Sequence, residues 1–390
     1  MNWQEYFKNE SLQIEEELIE VRRHLHKNPE LSFKEFKTAD FLENKLKEYG
    51  ITDYKRVCKT GIVGFIGEGK DLIVLRGDLD ALPIVEANNC EYKSQNEGVM
   101  HACGHDVHTT CLLGALKLLK SKENELPNKV MFIFQPGEEK LPGGASLLIK
   151  EGIFDGLQPK VVVGQHVYPE MEVGKVGYRE GIYMASCDEL FINVHGKGGH
   201  GAMPHKNIDP IVIGSQIVVA LQQLVSRVND PKIPTVVSIG EFIAKGATNI
   251  CPEKATMQGT IRTFNEKWRA ELHEKIIKLC EGIGESFGAK VEVIIDKGYP
   301  YLENHPESTR QWSDIAKKVM GEENVEELDI RMTAEDFSYY SQVQPSVFYR
   351  LGVGNVEKGI TSSVHSPTFD IDERALRIGA ELFANAAVEM

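Results

Sequence analysis

The first half of the chain alternates apolar runs with amphipathic stretches. Residues 11–49 are rich in Glu, Lys and Leu at helical spacing and are interrupted at KNPE, which predicts two surface helices. Three apolar, β-branched runs follow, each ending in polar residues: DLIVLRGDLD at 71–80, KVMFIFQPGEE at 129–139 and KVVVGQHV at 160–167. Helical segments near 107–122 and 143–151 lie between them. Near-continuous apolar strands that alternate with helices predict an α/β sheet, at least partly parallel, that is buried on both faces.

The order of elements changes after about residue 185. There the pattern predicts the ferredoxin-like arrangement β-α-β-β-α-β. Its elements are the strand CDELFINVHG, a helix at 209–228, the strands PTVVSIGEFI and KATMQGTIRTF, a helix at 266–287 and the strand AKVEVIID. The α/β pattern returns after residue 300, with a helix near 306–320, the strand VFYRLGVG and a final helix from 372. The chain is therefore expected to form a discontinuous α/β domain, 1–184 and 298–390, interrupted by an inserted α+β domain, 185–297. The inserted sheet would leave one face and one edge free for a dimer contact.

Composition narrows the class of protein. At 390 residues the chain exceeds the usual size of a single core, which agrees with two domains. A formal net charge of -14, without any block of Lys or Arg, argues against nucleic acid or an anionic membrane as the main partner. No window approaches the roughly 18 apolar residues of a membrane span. The longest apolar stretch, IVIGSQIVVALQQL at 211–224, predicts a buried helix.

Two further features predict a cytoplasmic location. The opening segment MNWQEYFKNESLQIEEE lacks the basic, apolar and small-residue succession of a secretory signal. The 7 cysteines have no regular spacing, so they do not suggest a disulfide framework and suit a reducing compartment.

Polar clusters stand where the predicted strands end. They are Asp78 and Asp80 in RGDLDALP, Glu138 and Glu139 in FQPGEE, His166 in GQHV, the segment HACGHDVH at 101–108, and His365 in HSP. Because ligands of doubly wound sheets gather at the carboxyl ends of the strands, these groups are expected to face one cleft. Cys, His and carboxylate together are the ligands of a transition-metal site, and their number exceeds what one tetrahedral ion needs.

Each cluster also has a simpler interpretation. A lone histidine after a strand is often structural, and Glu138 and Glu139 could form a solvated loop pair. Two adjacent carboxylates after an apolar strand repel unless cations or protons neutralise them, and their side chains point in different directions, so one can bind metal while the other serves as a base. Cys103 with His105 could instead be a thiol nucleophile and its base.

The glycine-rich segment GKGGHGAMPH at 196–205 resembles a phosphate loop only superficially, because it lacks the GK[ST] ending. Its His200 is interpreted as a hydrogen-bond donor exposed on a tight turn, with a plain turn as the alternative.

Taken together, the motifs resemble one known family. In order they are RRHLHKNPELSFKE, RGDLDALP, HACGHDVHTT, FQPGEE, GKGGHGAMPH, NICP, GTIR, AEDF and HSPTF. The sequence is similar nearly end to end to the aminoacylase and carboxypeptidase G superfamily of dinuclear metallopeptidases, and most of all to its amidohydrolase subgroup of hippurate hydrolases, N-acyl amino acid deacylases and auxin conjugate hydrolases. The resemblance implies a zinc-peptidase-like mixed-sheet catalytic domain with an inserted ferredoxin-like lid and dimerisation domain.

The resemblance also assigns roles to residues. It implies two divalent metal ions per subunit, Zn or Mn with Ni or Co as alternatives. Their ligands would be Cys103, His105, Glu139, His166 and His365. Glu138 would be the general base and Asp80 a carboxylate that orients the site. His200 would act in catalysis, in dimeric relatives at the partner subunit's site, and Asn249 and Arg262 would hold the substrate carboxylate.

The sequence departs from the family pattern at three places. Gly137 stands where alanine is usual and Cys251 where valine or isoleucine is common. The wider superfamily's His-x-Asp motif is here Asp78-Leu79-Asp80, so the cysteine and histidine of HACGHD take over its ligand role. The implied reaction is the hydrolysis of small N-acyl amino acids by a homodimer. A metallo-dipeptidase or carboxypeptidase, or a non-catalytic metal-binding protein of the same fold, is the alternative.

Overall fold

The computed structural model describes residues 1–390, which divide into two compact units. The first unit comprises Met1–Tyr183, Glu303–Ile330 and Asp336–Met390, and the second comprises Met184–Leu302 and Arg331–Glu335. The second unit thus includes the whole predicted segment 185–297, together with residue 184, residues 298–302 and the short piece Arg331–Glu335.

Sixteen strands and ten α-helices make up the two units. The helices are α1 (Trp3–Gln13), α2 (Glu15–Lys27), α3 (Phe36–Glu48), α4 (His105–Lys120), α5 (Gly144–Lys150), α6 (Pro210–Gln223), α7 (Glu266–Ser286), α8 (Pro306–Met320), α9 (Ser338–Ser341) and α10 (Arg374–Glu389). The strands are β1 (Tyr54–Val57), β2 (Gly61–Ile66), β3 (Leu72–Asp78), β4 (Lys129–Gln135), β5 (Pro159–Glu172), β6 (Val176–Tyr178), β7 (Gly181–Met184), β8 (Asp188–His195), β9 (Gly199–His200), β10 (Thr235–Ile243), β11 (Ile250–Cys251), β12 (Lys254–Thr263), β13 (Lys290–Lys297), β14 (Leu302–Asn304), β15 (Val325–Glu327) and β16 (Ser346–Gly354).

The first unit is built on an eight-stranded mixed sheet with the order β1-β2-β4-β3-β5-β16-β6-β15. Strand β3 runs parallel to both β4 and β5, and β16 runs parallel to β5. These central strands are almost entirely buried, because α4 and α10 pack against them and against each other. The carboxyl ends of β3, β4 and β5 therefore open at the same edge of the sheet, where the polar clusters follow.

Part of the first unit differs from the sequence-based prediction. Three helices lie before residue 50, where two were predicted, and the hairpin of β1 and β2 was not predicted. Strand β2 is short, and its run GIVGFI contains two glycines that weaken the strand pattern.

The second unit has a four-stranded antiparallel sheet with the order β10-β12-β8-β13. Helices α6 and α7 pack on one face of it, over apolar side chains that include Leu190, Ile192 and Val194 of β8. The sequence-predicted β-α-β-β-α-β order is the order found, and this strand order is that of a ferredoxin-like sheet.

Helix α6 differs from its prediction. Only one stripe of it, including Ile213, Ile217 and Leu221, is buried, whereas Val212 and Val219 are exposed. The segment Pro210–Val228 is also long and apolar enough to cross a membrane by those two criteria, with a mean hydropathy of 1.5, contrary to the expectation that no such window exists. Its buried stripe packs on the sheet of the second unit, and only 28% of the segment is buried.

Candidate metal centre

One carboxylate, that of Asp80, organises the loops at the sheet edge. Its Oδ1 accepts hydrogen bonds from Nδ1 of His105 (3.1 Å) and from the backbone N–H of Glu138 (3.0 Å). Its Oδ2 accepts from the N–H of Glu139 (3.0 Å) and from the hydroxyl of Ser32 (2.6 Å). Asp80 therefore joins the loop after β3, the first turn of α4 and the loop after β4.

The sulfur of Cys103 lies at the middle of the predicted ligand set. Its Sγ is 3.4 Å from Nε2 of His166 and 3.3 Å from Nε2 of His365, and the latter atom is 3.2 Å from Oε1 of Glu139. The ligand atoms of Cys103, His105 and His166 lie within 4.8 Å of one another, as do those of Cys103, Glu139 and His365. The same holds for His105, Glu138 and Glu139. The structure thus brings all five sequence-predicted ligands together, in two groups that share one thiol.

The side chains fit the divalent cations that the resemblance implies. Nε2 of His105 and Oε1 of Glu139 are buried polar atoms without a hydrogen-bond partner. Nδ1 of His105 is occupied by Asp80, and Nδ1 of His166 donates to the carbonyl oxygen of Val167 at 2.8 Å, so both rings turn Nε2 into the cluster. Buried polar atoms are rarely left unpaired, and a metal bound through Nε2 with Nδ1 fixed by a protein acceptor is the usual arrangement of a histidine ligand.

The electrostatics of the cluster favour positive charge. Burial raises the pKa of the Cys103 thiol, and the nearby Glu139 and Glu138 raise it further. Burial by itself would lower the pKa of His105, but Asp78, Asp80 and Glu139 outweigh it and raise that pKa to about 10. Acidic groups thus dominate this buried edge of the sheet, which is the environment that a divalent cation requires.

The two adjacent glutamates have different surroundings. Glu139 points toward His365 and lies in the group with Cys103. Oε1 of Glu138 accepts the backbone N–H of Asp336 at 3.3 Å, while its Oε2 is 3.9 Å from Nε2 of His105. The sequence predicts that one of these carboxylates binds metal while the other serves as a base, and this stays a prediction, because both carboxylates lie 3.9 Å from Nε2 of His105.

The remaining members of HACGHDVH support the loop. The carboxylate of Asp106 accepts hydrogen bonds from Nε of Arg22 (2.9 Å) and Nδ1 of His26 (2.7 Å). Nδ1 of His108 bonds Oδ1 of Asp78 at 2.6 Å, and its Nε2 accepts the N–H of Val167 at 2.9 Å. His101 is buried, and both of its ring nitrogens lack a hydrogen-bond partner.

Asp78 is tied to a buried arginine. Oδ2 of Asp78 accepts from Arg76 at 2.6 Å, and the same guanidinium donates to Asp336 at 2.8 Å and to Gln135 at 2.9 Å. Burial tends to raise the pKa of Asp78, but Arg76, His105 and His108 hold it well below its usual range. Although Asp78, His105 and His108 also lie close enough to hold an ion, both oxygens of Asp78 are engaged in these bonds, which agrees with its omission from the ligands.

Three site residues were predicted in the second unit, and two of them lie close together. His200 on β9 pairs with Ile250 on β11, and the carbonyl of Asn249 accepts the N–H of Gly201 at 2.8 Å. Arg262 lies near the far end of β12, eight residues beyond Lys254, or roughly 26 Å along an extended strand. Within this unit His200 and Asn249 are neighbours, whereas Arg262 is remote from both.

The mixed sheet and the cluster of thiol, imidazole and carboxylate at its edge define a metal-dependent hydrolase. Residues 74–389 match the model of peptidase family M20/M25/M40, and the chain belongs to that family.

Related proteins agree with this assignment. The chain is 43% identical over 297 residues to an N-acyl-L-amino acid amidohydrolase of Geobacillus stearothermophilus, covering 76% of this chain and 80% of the relative. It is 38% identical over 394 residues to thermostable carboxypeptidase 2 of Saccharolobus solfataricus, covering 100% and 99% of the two chains. The solved structure of the Bacillus subtilis YXEP protein, a dinuclear metal-binding peptidase of family M20, superposes with a TM-score of 0.82 at 33% identity, over 96% of this chain and 98% of that one.

The family and fold predicted from the sequence are thereby confirmed, and the protein is a metal-dependent amidohydrolase or peptidase of this family.

Proposed function

We propose that the protein hydrolyses the amide bond of N-acyl amino acids and releases a carboxylic acid and a free amino acid. The observation that carries the proposal is Glu138, a carboxylate at the margin of the ligand cluster with Oε2 3.9 Å from Nε2 of His105. The similarity to an N-acyl-L-amino acid amidohydrolase supports the choice of substrate. A peptide cleaved from its carboxyl end is the second candidate, supported by the full-length similarity to a carboxypeptidase.

In this proposal the five clustered side chains hold two divalent ions. Cys103, His105 and His166 would hold one, and Cys103, Glu139 and His365 would hold the other. Zn and Mn suit these ligands, and Ni and Co are alternatives. Such ions, when bound, polarise the scissile carbonyl and lower the pKa of water toward neutrality.

Glu138 is the proposed general base. Its Oε1 accepts the N–H of Asp336, its Oε2 lies 3.9 Å from Nε2 of His105, and this carboxylate takes the proton from the attacking water. The same carboxyl group then delivers that proton to the nitrogen of the leaving amino acid. Asp80 keeps Glu138 and His105 in place through the hydrogen bonds described above.

Residues of the second unit are proposed to bind the substrate. His200 is exposed, its Nδ1 accepts the N–H of Ala202 at 3.1 Å, and its Nε2–H is thus left to donate to the oxyanion that develops on the carbonyl. Arg262 can bind the substrate carboxylate bidentately, with Asn249 as a further donor, which selects amino acids with a free carboxyl end. Since His200 and Arg262 are far apart in this unit, we assign His200 to the site of a partner subunit.

A homodimer through the second unit is part of the proposal. Val219 on α6 is 72% exposed and Val212 is 53% exposed, and Phe242 of the edge strand β10 packs close to Gly214 of the same helix. An apolar helix face beside an unpaired strand edge suits a two-fold contact with a second copy. Val219→Glu should therefore yield monomers in analytical ultracentrifugation, whereas Lys278→Gln, at an exposed position of α7 and with the same change of charge, should not. A dimer that survives Val219→Glu would exclude this face.

The function is tested by metal analysis combined with a substrate screen. Wild-type protein, stripped with chelator and reloaded with Zn or Mn, should regain hydrolysis of N-acetyl or N-benzoyl amino acids. Faster cleavage of unblocked peptides would favour the carboxypeptidase, and activity that resists chelation would favour the thiol nucleophile. No turnover of either class would leave a metal-binding protein without catalysis.

The shared site has its own test. Mixing His200→Ala with Glu138→Gln under conditions of subunit exchange should restore part of the activity that each variant lacks. Exchange without recovery would place His200 in its own subunit's site.

The seven cysteines are all free, which supports the proposed cytoplasmic location.

A further inference from the structure

A buried carboxylate outside the ligand cluster has no role in the proposed reaction. Glu35 lies at the start of α3, is fully buried and forms no ion pair with a lysine, arginine or histidine. Burying an ionisable group without a cation is costly, so its hydrogen-bond partners are informative.

The hydrogen-bond donors to Glu35 all belong to turns or loops of the backbone. Oε1 of Glu35 accepts the N–H of Phe33 at 2.8 Å and the N–H of Gly137 at 2.9 Å, and Oε2 accepts the hydroxyl of Thr60 at 2.7 Å. Gly137 directly precedes the glutamate pair that follows β4. Glu35 therefore reaches across 102 residues of sequence to hold the loop that carries Glu138 and Glu139.

The conformation of the loop that carries Glu138 and Glu139 depends on the contact between Glu35 and Gly137. Gly137 has a φ of 61° and Phe33 a φ of 64°, both in the left-handed region. A Cβ at residue 137 would lie only 2.3 to 2.7 Å from three atoms of the Phe33 ring. The ring thus occupies the space that the alanine usual in the family would need, and Glu35 binds the amides of both residues.

Two carboxylates between them hold three consecutive amides of the loop. Glu35 accepts the N–H of Gly137, and Asp80 accepts those of Glu138 and Glu139. These bonds fix the backbone from which the two glutamate side chains project.

We propose that Glu35 is a positioning residue for the loop 137–139, and that it aims Glu138 and Glu139 through the Gly137 amide. This rests on the proposed roles of those glutamates as general base and metal ligand. Glu35 itself touches neither metal ligand nor substrate, so it acts only through the backbone. The competing explanation is that Glu35 merely stabilises the region around Thr60.

Two substitutions separate hydrogen bonding from charge. In Glu35→Gln the amide oxygen can still accept both N–H groups, and the Thr60 hydroxyl can turn to accept from the amide nitrogen. In Glu35→Asp the charge is kept, but the carboxylate ends about 1.5 Å short of Gly137. Glu381→Gln is the matched control, because Glu381 is also buried but lies on α10 beside Arg377.

The experiment compares kinetics and metal retention in the zinc-loaded protein. Glu35→Asp should lower kcat about 10- to 100-fold, change KM little, and speed zinc loss to EDTA about tenfold. Glu35→Gln and Glu381→Gln should stay within about threefold of wild type in all three quantities. A structural role alone would lower the melting temperature of Glu35→Asp and leave kcat and zinc loss unchanged, which would overturn the proposal.

A second variant, Thr60→Val, tests the proposal if the first one folds poorly. If Glu35→Asp does not fold, Thr60→Val removes only the hydroxyl that fixes Oε2, and it should reduce kcat and speed zinc loss several-fold; wild-type values would overturn the proposal. If the wild-type protein hydrolyses no N-acyl amino acid, the proposed function fails, while the rate of zinc loss still decides the role of Glu35.

Discussion

The carboxylate of Asp80 accepts a 3.1 Å hydrogen bond from Nδ1 of His105, and this bond turns Nε2 of the ring toward Cys103. The same carboxylate also accepts hydrogen bonds from two backbone N–H groups, so the NH₂ group of an asparagine would face other N–H donors. Asp80→Asn should therefore weaken metal binding about 10- to 100-fold, as measured by competition with a chelator.

Asp71→Asn is the control for this change. Asp71 directly precedes β3, the strand that leads to Asp80, and its side chain pairs only with Lys160 at the surface. Unchanged metal affinity in Asp80→Asn would show that His105 needs no support from this carboxylate.

Glu138→Gln should keep two ions per subunit and lose about 100- to 10,000-fold in kcat. The glutamine retains an oxygen that accepts the amide of Asp336 but cannot take a proton. Metal analysis and steady-state kinetics on one preparation give both quantities. The exposed Glu170→Gln should behave as wild type. Loss of one ion together with activity would make Glu138 a ligand instead of the base.

Arg76→Met should lower the free energy of unfolding by about 3 to 5 kcal/mol, because it leaves Asp78 and Asp336 buried without their cation. Urea denaturation of the metal-free protein measures this change. Lys160→Met breaks a surface ion pair with Asp71 and should cost about 0 to 1 kcal/mol. Equal effects of the two substitutions would mean that the buried carboxylates tolerate the loss of Arg76.

Stability should fall as the pH rises through the range in which Glu35 ionises. Burial, and then the charge of Asp80, raise the pKa of Glu35 from 4.5 to about 7. The folded state therefore binds this proton more tightly than the unfolded state, and the contribution of Glu35 declines between about pH 4.5 and 7, by about 3 kcal/mol in all. Glu35→Gln has no proton to lose, so its stability relative to wild type should increase across that range. Urea denaturation at several pH values provides the comparison, and parallel profiles would contradict the raised pKa.

The elements predicted correctly are those that a local pattern of apolar and polar residues specifies. Apolar runs followed by polar residues located β3, β4 and β5, and the parallel order of these strands brings Asp80, Glu139 and His166 to one edge. Helix α6 was expected to be buried because its apolar residues surround the helix, and composition does not tell which of those residues face solvent.

The supporting residues could not be predicted in the same way. Glu35 meets Gly137 across 102 positions, and Glu138 meets Asp336 across 198. Each of these contacts depends on a loop conformation that tertiary packing determines, such as the left-handed turns at Phe33 and Gly137. The sequence shows that Gly137 replaces the usual alanine but not the reason, which is that the ring of Phe33 fills the space of the missing side chain.

The shared thiol makes the proposed centre vulnerable at a single atom. Cys103 belongs to both ligand groups, so oxidation of its sulfur would remove a ligand from each ion in one event. Inactivation by peroxide should then follow single-hit kinetics, with both ions released together instead of one after the other.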